Sequence, residues 1–463
     1  MTALAGGCGT LRDGGGDSTP IGISRATGQL GTLRAPAYRA RTPAIPIPVE
    51  AASARRRLRS LTGSVCTHGS DVGGVEGREA ARRPRIRPVR LVATVVLFAL
   101  ATSGCMNGGI LRAAAPTSLP TATPSPAASP LEDPQPLAFP RDEGPHDRLT
   151  EWWYYTGHLH ADDGRDTGFE LVIFRAERGD FPVAWASHFA VTDWTAGTFT
   201  YEQRVEYGAQ VDRSPPDGGF AFAIRPAFVD AGVVPEPWAM RGVGGRDHVT
   251  AAMVGNAIDL ELTTDRPPVL HDDDGWVDLG PAGGTYYYSR TRMEVEGTLT
   301  SSGTSGGQPV HVTGQAWFDH QWGDFIAVGA GGWDWFSVQL ADGRDLTISS
   351  VHGPGGVEFF RYGTLVAADG SAQNLSADAF GIEVLDRWQS PRSGADYPAE
   401  WRITIPGEGL SLHLVPVLAD QELDTTGSSG VIYWEGEVTV DGMDDGKPVE
   451  GLGYVELTGY ASP

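Results

Sequence analysis

The stretch Gly314-Gln-Ala-Trp-Phe-Asp-His-Gln-Trp-Gly-Asp-Phe325 is followed, after a glycine-rich gap, by Gly332-Trp-Asp-Trp-Phe-Ser-Val-Gln-Leu340. Together they hold four tryptophans, three aspartates and one histidine. Successive side chains of a strand point to opposite faces. Ala316, Phe318, His320 and Trp322 therefore share one face, and Trp317, Asp319 and Gln321 the other. In the second run Asp334 lies on the face of Phe336, Val338 and Leu340. A histidine and an acid thus sit on largely apolar faces, which normally point into a core or cavity. The expectation is that His320 and Asp334, from neighbouring strands, meet in a dry, tryptophan-walled hollow where two halves of the chain join.

Outward from this stretch the chain reads as strands. Glu151-Trp-Trp-Tyr-Tyr-Thr-Gly-His-Leu-His is an aromatic strand, Ala161-Asp-Asp-Gly-Arg-Asp a turn, and Phe169-Glu-Leu-Val-Ile-Phe-Arg the return strand. Further short strands are expected over 183–194, 220–224, 248–253, 257–263, 284–292 and 293–300, separated by Gly, Asp, Pro and Asn. No long segment carries a 3.6-residue period, so the fold class is all-β, of the barrel or sandwich kind. The second half echoes the first. Trp153-Tyr-Tyr155 before Ala161-Asp-Asp-Gly-Arg-Asp resembles Trp333-Asp-Trp335 before Ala341-Asp-Gly-Arg-Asp. Glu296-Gly-Thr-Leu-Thr, Pro309-Val and Gly314 recur with identical spacing as Glu435-Gly-Glu-Val-Thr, Pro448-Val and Gly453. A repeat this long indicates two homologous β-domains in tandem, 145–328 and 329–463, each an up-and-down barrel or a curled sheet. The His/Trp/Asp residues sit only at the join, which predicts one functional site.

The part before residue 145 reads differently. Arg82, Arg83, Arg85, Arg87 and Arg90 precede an apolar run from Leu91 to Ala101 and then Thr102-Ser-Gly-Cys105. A basic region, a short apolar run and small residues form a secretory signal, over 82–104, too short for an ordinary membrane span. Residues 1–81 form a leader without periodicity, and 105–144, rich in Ala, Pro, Ser and Thr, an extended tether. Of 35 basic and 58 acidic residues, 15 and 6 precede Cys105, so the remainder carries a net charge of −32. Such a charge excludes nucleic acid as a partner. The three cysteines are Cys8, Cys66 and Cys105, so the folded region has neither disulfide nor thiol chemistry.

The Glu151-Trp-Trp-Tyr, Trp317-Phe-Asp-His-Gln-Trp-Gly, Trp333-Asp-Trp-Phe and Gly453-Tyr-Val-Glu-Leu-Thr-Gly-Tyr motifs resemble the AttH-like group, related to carotenoid 1,2-hydratase (hydroxyneurosporene synthase). The resemblance covers about Pro145 to Tyr460. It implies two tandem lipocalin-like antiparallel β-barrel domains, no metal or organic cofactor, and a hydrophobic small-molecule ligand. The hydratase branch adds water to an isoprenoid double bond through a His-x-Trp pair and an acid. His320 and Trp322 match the pair, and Asp334 is the chosen acid, with Asp319 and Asp324 as alternatives. Ser103-Gly104-Cys105 resembles a bacterial lipobox, which implies lipidation at Cys105 and an exported, membrane-anchored cell-envelope protein.

Hydrating an alkene needs an acid that protonates carbon and a pocket that tolerates a carbocation. A desolvated carboxyl keeps its proton near neutral pH, aromatic faces stabilise a cation, and a histidine takes the proton of the attacking water. Asp334, His320 and Trp322 are the catalytic candidates. Trp333, Trp335, Trp317, Phe318, Asp319, Trp152, Trp153 and Glu151 are the ligand-binding ones, with pairing to Arg175 as the plainer role for Glu151. A non-catalytic carrier uses the same cavity. A polysaccharide-binding module instead needs Trp152, Trp317 and Trp333 on an open surface. Gly303-Thr-Ser-Gly-Gly matches a serine-hydrolase pattern but lies in a hairpin loop, not at a strand-to-helix elbow. His158 and His160 share a strand face without an evident third zinc ligand. His271-Asp-Asp-Asp-Gly and Asp441-Gly-Met-Asp-Asp-Gly lack the ligand spacing of a calcium loop and read as acidic turns.

Overall fold

A computed structural model describes residues 133–226, 236–279, 283–301, 307–324, 331–353 and 356–461. One sheet takes β1 (Thr150–Ala161), β2 (Asp166–Ala176), β3 (Ala184–Asp193), β4 (Thr198–Tyr207), β5 (Phe220–Ile224), β6 (Trp238–Val243), β7 (Arg246–Met253), β8 (Asn256–Thr263), β9 (Val269–Leu270), β10 (Trp276–Asp278), β11 (Gly284–Thr300) and β12 (Val310–Gly323). The other takes β13 (Gly332–Leu340), β14 (Asp345–His352), β15 (Glu358–Val366), β16 (Ala372–Leu375), β17 (Gly381–Gln389), β18 (Asp396–Ile405), β19 (Leu410–Pro416), β20 (Glu422–Asp424), β21 (Ile432–Asp444) and β22 (Lys447–Leu457).

The first sheet runs β4-β3-β2-β1-β12-β11-β8-β7-β6-β5, with β9 and β10 beside β11. The second runs β16-β15-β14-β13-β22-β21-β19-β18-β17, with β20 beside β21. The two orders match strand for strand, except that the first has the extra edge strand β5. The motif repeat is thus a repeat of topology. In each half the first strand pairs antiparallel with the last, which curls the sheet round its own core. The seam of the first barrel is drawn together by Arg204 of β4. Its guanidinium lies 4.1 Å over the Trp238 ring and donates to the carbonyls of Ile224, Glu236 and Ala252.

Burial follows from what each face meets. β1, β2 and β3 are buried almost throughout, because one face fills the first barrel and the other packs against the second sheet. Strands covered on both faces read as nearly continuous apolar runs. β8 has water on its outer face and alternates buried with exposed. The two strands expected over 284–300 are one, β11, with a register shift between Arg290 and Met293. Such a bulge changes which residues face inward, so Tyr286 and Tyr288 before it and Met293 and Val295 after it all reach one core. That core includes Trp153, Phe169, Trp185, Phe189, Trp238 and Phe318. Phe336, Trp401, Trp434 and Tyr397 anchor the other. Each fully buried large side chain contributes about 1.5–3 kcal/mol of transfer free energy.

The segment expected as tether up to residue 144 is part of the fold from Asp133 onward. Phe139 stacks edge-on against Tyr288 at 4.9 Å, and the Glu143 carbonyl accepts from Trp153 Nε1 at 3.0 Å. The buried Glu143 carboxylate pairs with Arg290 at 2.5 Å and accepts from the Gly244 amide. The segment closes one end of the first barrel with polar groups that have partners there, which its composition alone does not reveal. The leader, the 82–104 signal, Cys105, the start of the tether, the Thr304-Ser305 motif and the boundary at 328/329 lie outside the described residues.

Candidate functional site

Strand register gathers the site. Glu151 of β1 lies opposite Trp322 of β12, and Trp153 opposite His320. On the other side of β12, Tyr286 and Tyr288 of β11 face Trp322 and His320. Three adjacent strands therefore present Glu151, Trp153, His320, Trp322, Tyr286 and Tyr288 at one end of the first barrel. The plugging segment adds His146. Its ring stacks on Trp322 with centroids 4.1 Å apart and planes 2° apart.

Glu151, with its side chain fully buried, is the centre. Its Oε1 meets His146 Nδ1 at 2.7 Å and His320 Nε2 at 2.9 Å. Its Oε2 accepts from the His146 backbone amide at 2.9 Å, with Arg175 at 3.9 Å. Burial alone would raise the Glu151 carboxyl, but the two imidazoles reverse this and hold it below the usual range. Burial also works against a charge on His146, yet Asp142 and Glu151 outweigh it and raise that imidazole. Burial dominates at His320 and lowers it to about 4. The trio thus holds a carboxyl drawn towards its ionised form between one imidazole drawn towards protonation and one drawn towards neutrality. Since the carboxylate only accepts, neutral His320 donates through Nε2, which leaves Nδ1 facing the Tyr288 hydroxyl at 3.4 Å. Titratable neighbours pushed in opposite directions are the usual arrangement of an acid and a base in one site.

The structure brings together His320, Trp322, Trp153 and Glu151, with His320 and Trp322 ring centroids 4.5 Å apart. Phe318 lies deeper in the same core. Asp334 is a correction. It does not meet His320, because β12 and β13 belong to different sheets and each residue lies on the face that fills its own core, His320 with Phe318 and Trp322, Asp334 with Phe336 and Val338. Asp334 sits on the inner side of the second sheet, where it accepts from the Tyr460 hydroxyl at 2.9 Å and lies 3.4 Å from His352. The expected tryptophan walls of a hollow at the join are corrected as well. Trp317, Trp335, Tyr154, Val172 and Tyr454 form a packed cluster there, with Trp152, Phe174 and Trp333 against it. Trp152, Trp317 and Trp333 thus line a joint between sheets, not the open platform a polysaccharide module needs.

Asp319 braces this joint. It accepts from Tyr287 at 2.5 Å, Trp317 Nε1 at 2.6 Å and Ser289, and burial, opposed by these donors, raises its carboxyl to about 7. Asp324 pairs with Arg148 at 2.7 Å on the surface. His158 turns into the joint towards Glu437 at 2.6 Å, whereas His160 meets Asp166 outside, so the two imidazoles do not converge on a metal. Beside them a cleft of about 630 Å³ opens between the sheets, lined by His158, Arg292, Glu294, Gln315 and Gln339 among others. His146, the member missed in the sequence, lies five residues before Glu151 in a stretch without strand period. Only its packing on Trp322 reveals it.

A matched pair of curled antiparallel sheets, with one polar trio at the closed-off end of the first, defines a tandem lipocalin-like protein. The AttH-like family model matches residues 130–460, and the chain belongs to that family. An AttH protein from Nitrosomonas europaea, known from a crystal structure, is 28% identical, with a TM-score of 0.62 over 72% of this chain and 100% of its own. Kievitone hydratase from Nectria haematococca shares the fold at 18% identity and a TM-score of 0.52, over 70% of this chain and 93% of its own. No curated protein matches the chain in sequence.

Proposed function

We propose that this protein binds an apolar, alkene-bearing small molecule at the His146–Glu151–His320 end of the first barrel and adds water to it by acid–base catalysis. The observation that carries the reading is the buried Glu151 carboxylate shared by two imidazoles, with His146 stacked on Trp322. His146 gives its proton to one alkene carbon. The cation left on the other carbon is stabilised by the buried Glu151 carboxylate, since Trp322 is already stacked by His146 and Tyr286, and Trp153 by His320. Water bonds to that carbon, and the proton it loses returns to the Glu151–His146 pair. The balance is one water added and no net proton consumed. The fold shared with kievitone hydratase supports this as a scaffold on which a hydratase stands.

The test is incubation with a panel of prenylated phenols and polyenes in ¹⁸O-labelled water, followed by mass spectrometry. Label uptake is expected from the native protein, with Glu151→Gln slower by about 10²–10⁴-fold, the usual contribution of a positioned acid–base group. Ligand binding without uptake across the panel would leave a carrier. The proposal includes export: the basic run 82–90, the apolar run 91–101 and Ser103-Gly104-Cys105 support a lipid anchor at Cys105.

A further inference from the structure

We infer that His146, Glu151 and His320 form a binding site for one divalent transition-metal cation of the zinc type. The inference uses the site proposed above but does not depend on its hydrating anything. Among the described residues this is the one place where three side chains drawn from His, Cys, Asp and Glu each offer an atom, all within 4.8 Å of one another. Two imidazole nitrogens and one carboxylate are the donor set of a catalytic zinc centre, which takes three protein ligands and leaves a fourth position free. Without a thiolate, the set suits zinc, cobalt or nickel better than calcium or magnesium, which prefer oxygen alone.

The two contacts to Glu151 need little adjustment, and the two nitrogens lie within 4.8 Å of each other. Both nitrogens already point at Glu151 Oε1, at 2.7 and 2.9 Å. Bonds of about 2.0–2.2 Å separate tetrahedral ligands by roughly 3.3 Å, so each nitrogen has to retreat by about half an ångström. The outer contacts are those that orient metal-binding histidines. Tyr288 Oη lies 3.4 Å from His320 Nδ1, and Asp142 Oδ1 lies 3.7 Å from His146 Nε2. The His146 amide holds Glu151 Oε2 at 2.9 Å. The main opposing charge is Arg175, 3.9 Å from Oε2, and its guanidinium is also drawn to Glu177, Asp147 and the His146 carbonyl. His146 is partly exposed and gives a cation its entry, whereas Glu151 and His320 are sealed from water. Metal binding requires deprotonated ligands. A cation therefore displaces the protons the trio shares, and metal loading switches off proton transfer at this site.

The experiment strips the full-length protein with chelator and titrates it with Co²⁺, followed by its visible d–d bands, and with Zn²⁺ by calorimetry, both without substrate. One cation per chain and tetrahedral or five-coordinate cobalt bands are expected. His320→Ala and Glu151→Gln should abolish the bands. Asp142→Asn, outside the ligand set, should weaken binding about 10–100-fold, and His311→Ala, on the surface, should leave it unchanged. Where a ligand variant fails to fold, Asp142→Asn and a zinc-dependent rise in the native melting temperature carry the test. Absence of stoichiometric binding, or binding indifferent to Glu151→Gln and Asp142→Asn, overturns the inference. Hydration that proceeds in a protein unable to bind metal would sink this inference alone, and metal binding by a protein that does not hydrate even when stripped of metal would sink only the functional reading.

Discussion

Replacing Glu170 by Gln should make the protein more stable, by an amount that grows with pH. Glu170 lies on the outer face of β2, 1% exposed, in the joint between the two sheets. Its Oε1 accepts from the Tyr433 hydroxyl at 3.1 Å, and its Oε2 has no partner. Burial, with the nearby Glu456 adding to it against the Tyr433 hydrogen bond, raises the carboxyl from 4.5 to about 8. Between those values the folded chain keeps a proton that the unfolded chain releases. Folded stability therefore falls by about 1.4 kcal/mol per pH unit as pH rises through that window. The contribution is intact below about pH 4.5 and fully lost above about pH 8, a total of roughly 5 kcal/mol. Glutamine keeps the acceptor for Tyr433 and cannot ionise, and its amide takes the place of an oxygen that is equally unpartnered. The variant should match the native protein at pH 4.5, exceed it by about 2 kcal/mol at pH 6 and by about 5 kcal/mol at pH 8. Urea unfolding followed by tryptophan fluorescence measures this, because Trp317, Trp333 and Trp335 report on the same joint. A stability difference that stays flat from pH 4.5 to 8, or shrinks, would refute the stored proton.

Removing the charge of Arg290 tests the plug at the end of the first barrel. Arg290→Leu leaves the buried Glu143 carboxylate without its 2.5 Å partner and should cost about 3–5 kcal/mol. Adding Glu143→Gln to it should recover much of the loss in a thermal melt, and no recovery would argue against the pair as the cause. Cys105→Ala should move the protein from the membrane fraction to the soluble one in a bacterial host that processes lipoproteins; an unchanged distribution would reject the anchor.

The strands and the tandem repeat were legible because their signals are local. Alternation along Asn256-Ala-Ile-Asp-Leu-Glu-Leu-Thr and the Asp-Gly turns need no distant partner. The closing hairpins, with Pro309 and Pro448 at equal spacing from Glu296 and Glu435, carried the symmetry of the two halves. Faces were legible too: His320 and Trp322 point into one core, as the period-2 rule requires. Where each face turns was not. The repeat already puts His320 and Asp334 in different halves, but the period-2 pattern says only which residues share a face, not that each of these faces turns into its own core and away from the join, as both do. His146 was hidden for a related reason. Its segment has no period of its own and acquires a role only by docking on strands that come later.

The repeat also explains why the trio occurs once. Gly314 and Gly453 hold equivalent places in the two closing hairpins. Gly314 lies opposite Leu159, and Gly453 opposite Val338. Counting from these pairs, Leu159 corresponds to Val338, Tyr155 to Asp334 and Trp153 to Gly332. The echo of Trp153-Tyr-Tyr155 in Trp333-Asp-Trp335 is therefore one residue out of register. The turns themselves are equal in length: the Ala161 amide donates to the Arg165 carbonyl as the Leu340 amide does to that of Arg344, so Ala161 corresponds to Leu340 and the likeness of Ala161 to Ala341 is one residue out as well. A slip of one residue moves a side chain to the other face of a strand. Trp153 accordingly lines the first barrel, whereas Trp333 and Trp335 turn outward into the joint. Along the last strand of each half the same count sets His320 against Gly459 and Trp322 against Ala461. The second half thus lacks both the imidazole and its stacking partner, and the tryptophans of its first strand, Trp333 and Trp335, are committed to binding the first half. The shared topology supplies the frame twice, but the His146–Glu151–His320 trio faces inward in the first half alone, where the second half has Asp334 beside His352 and Tyr460.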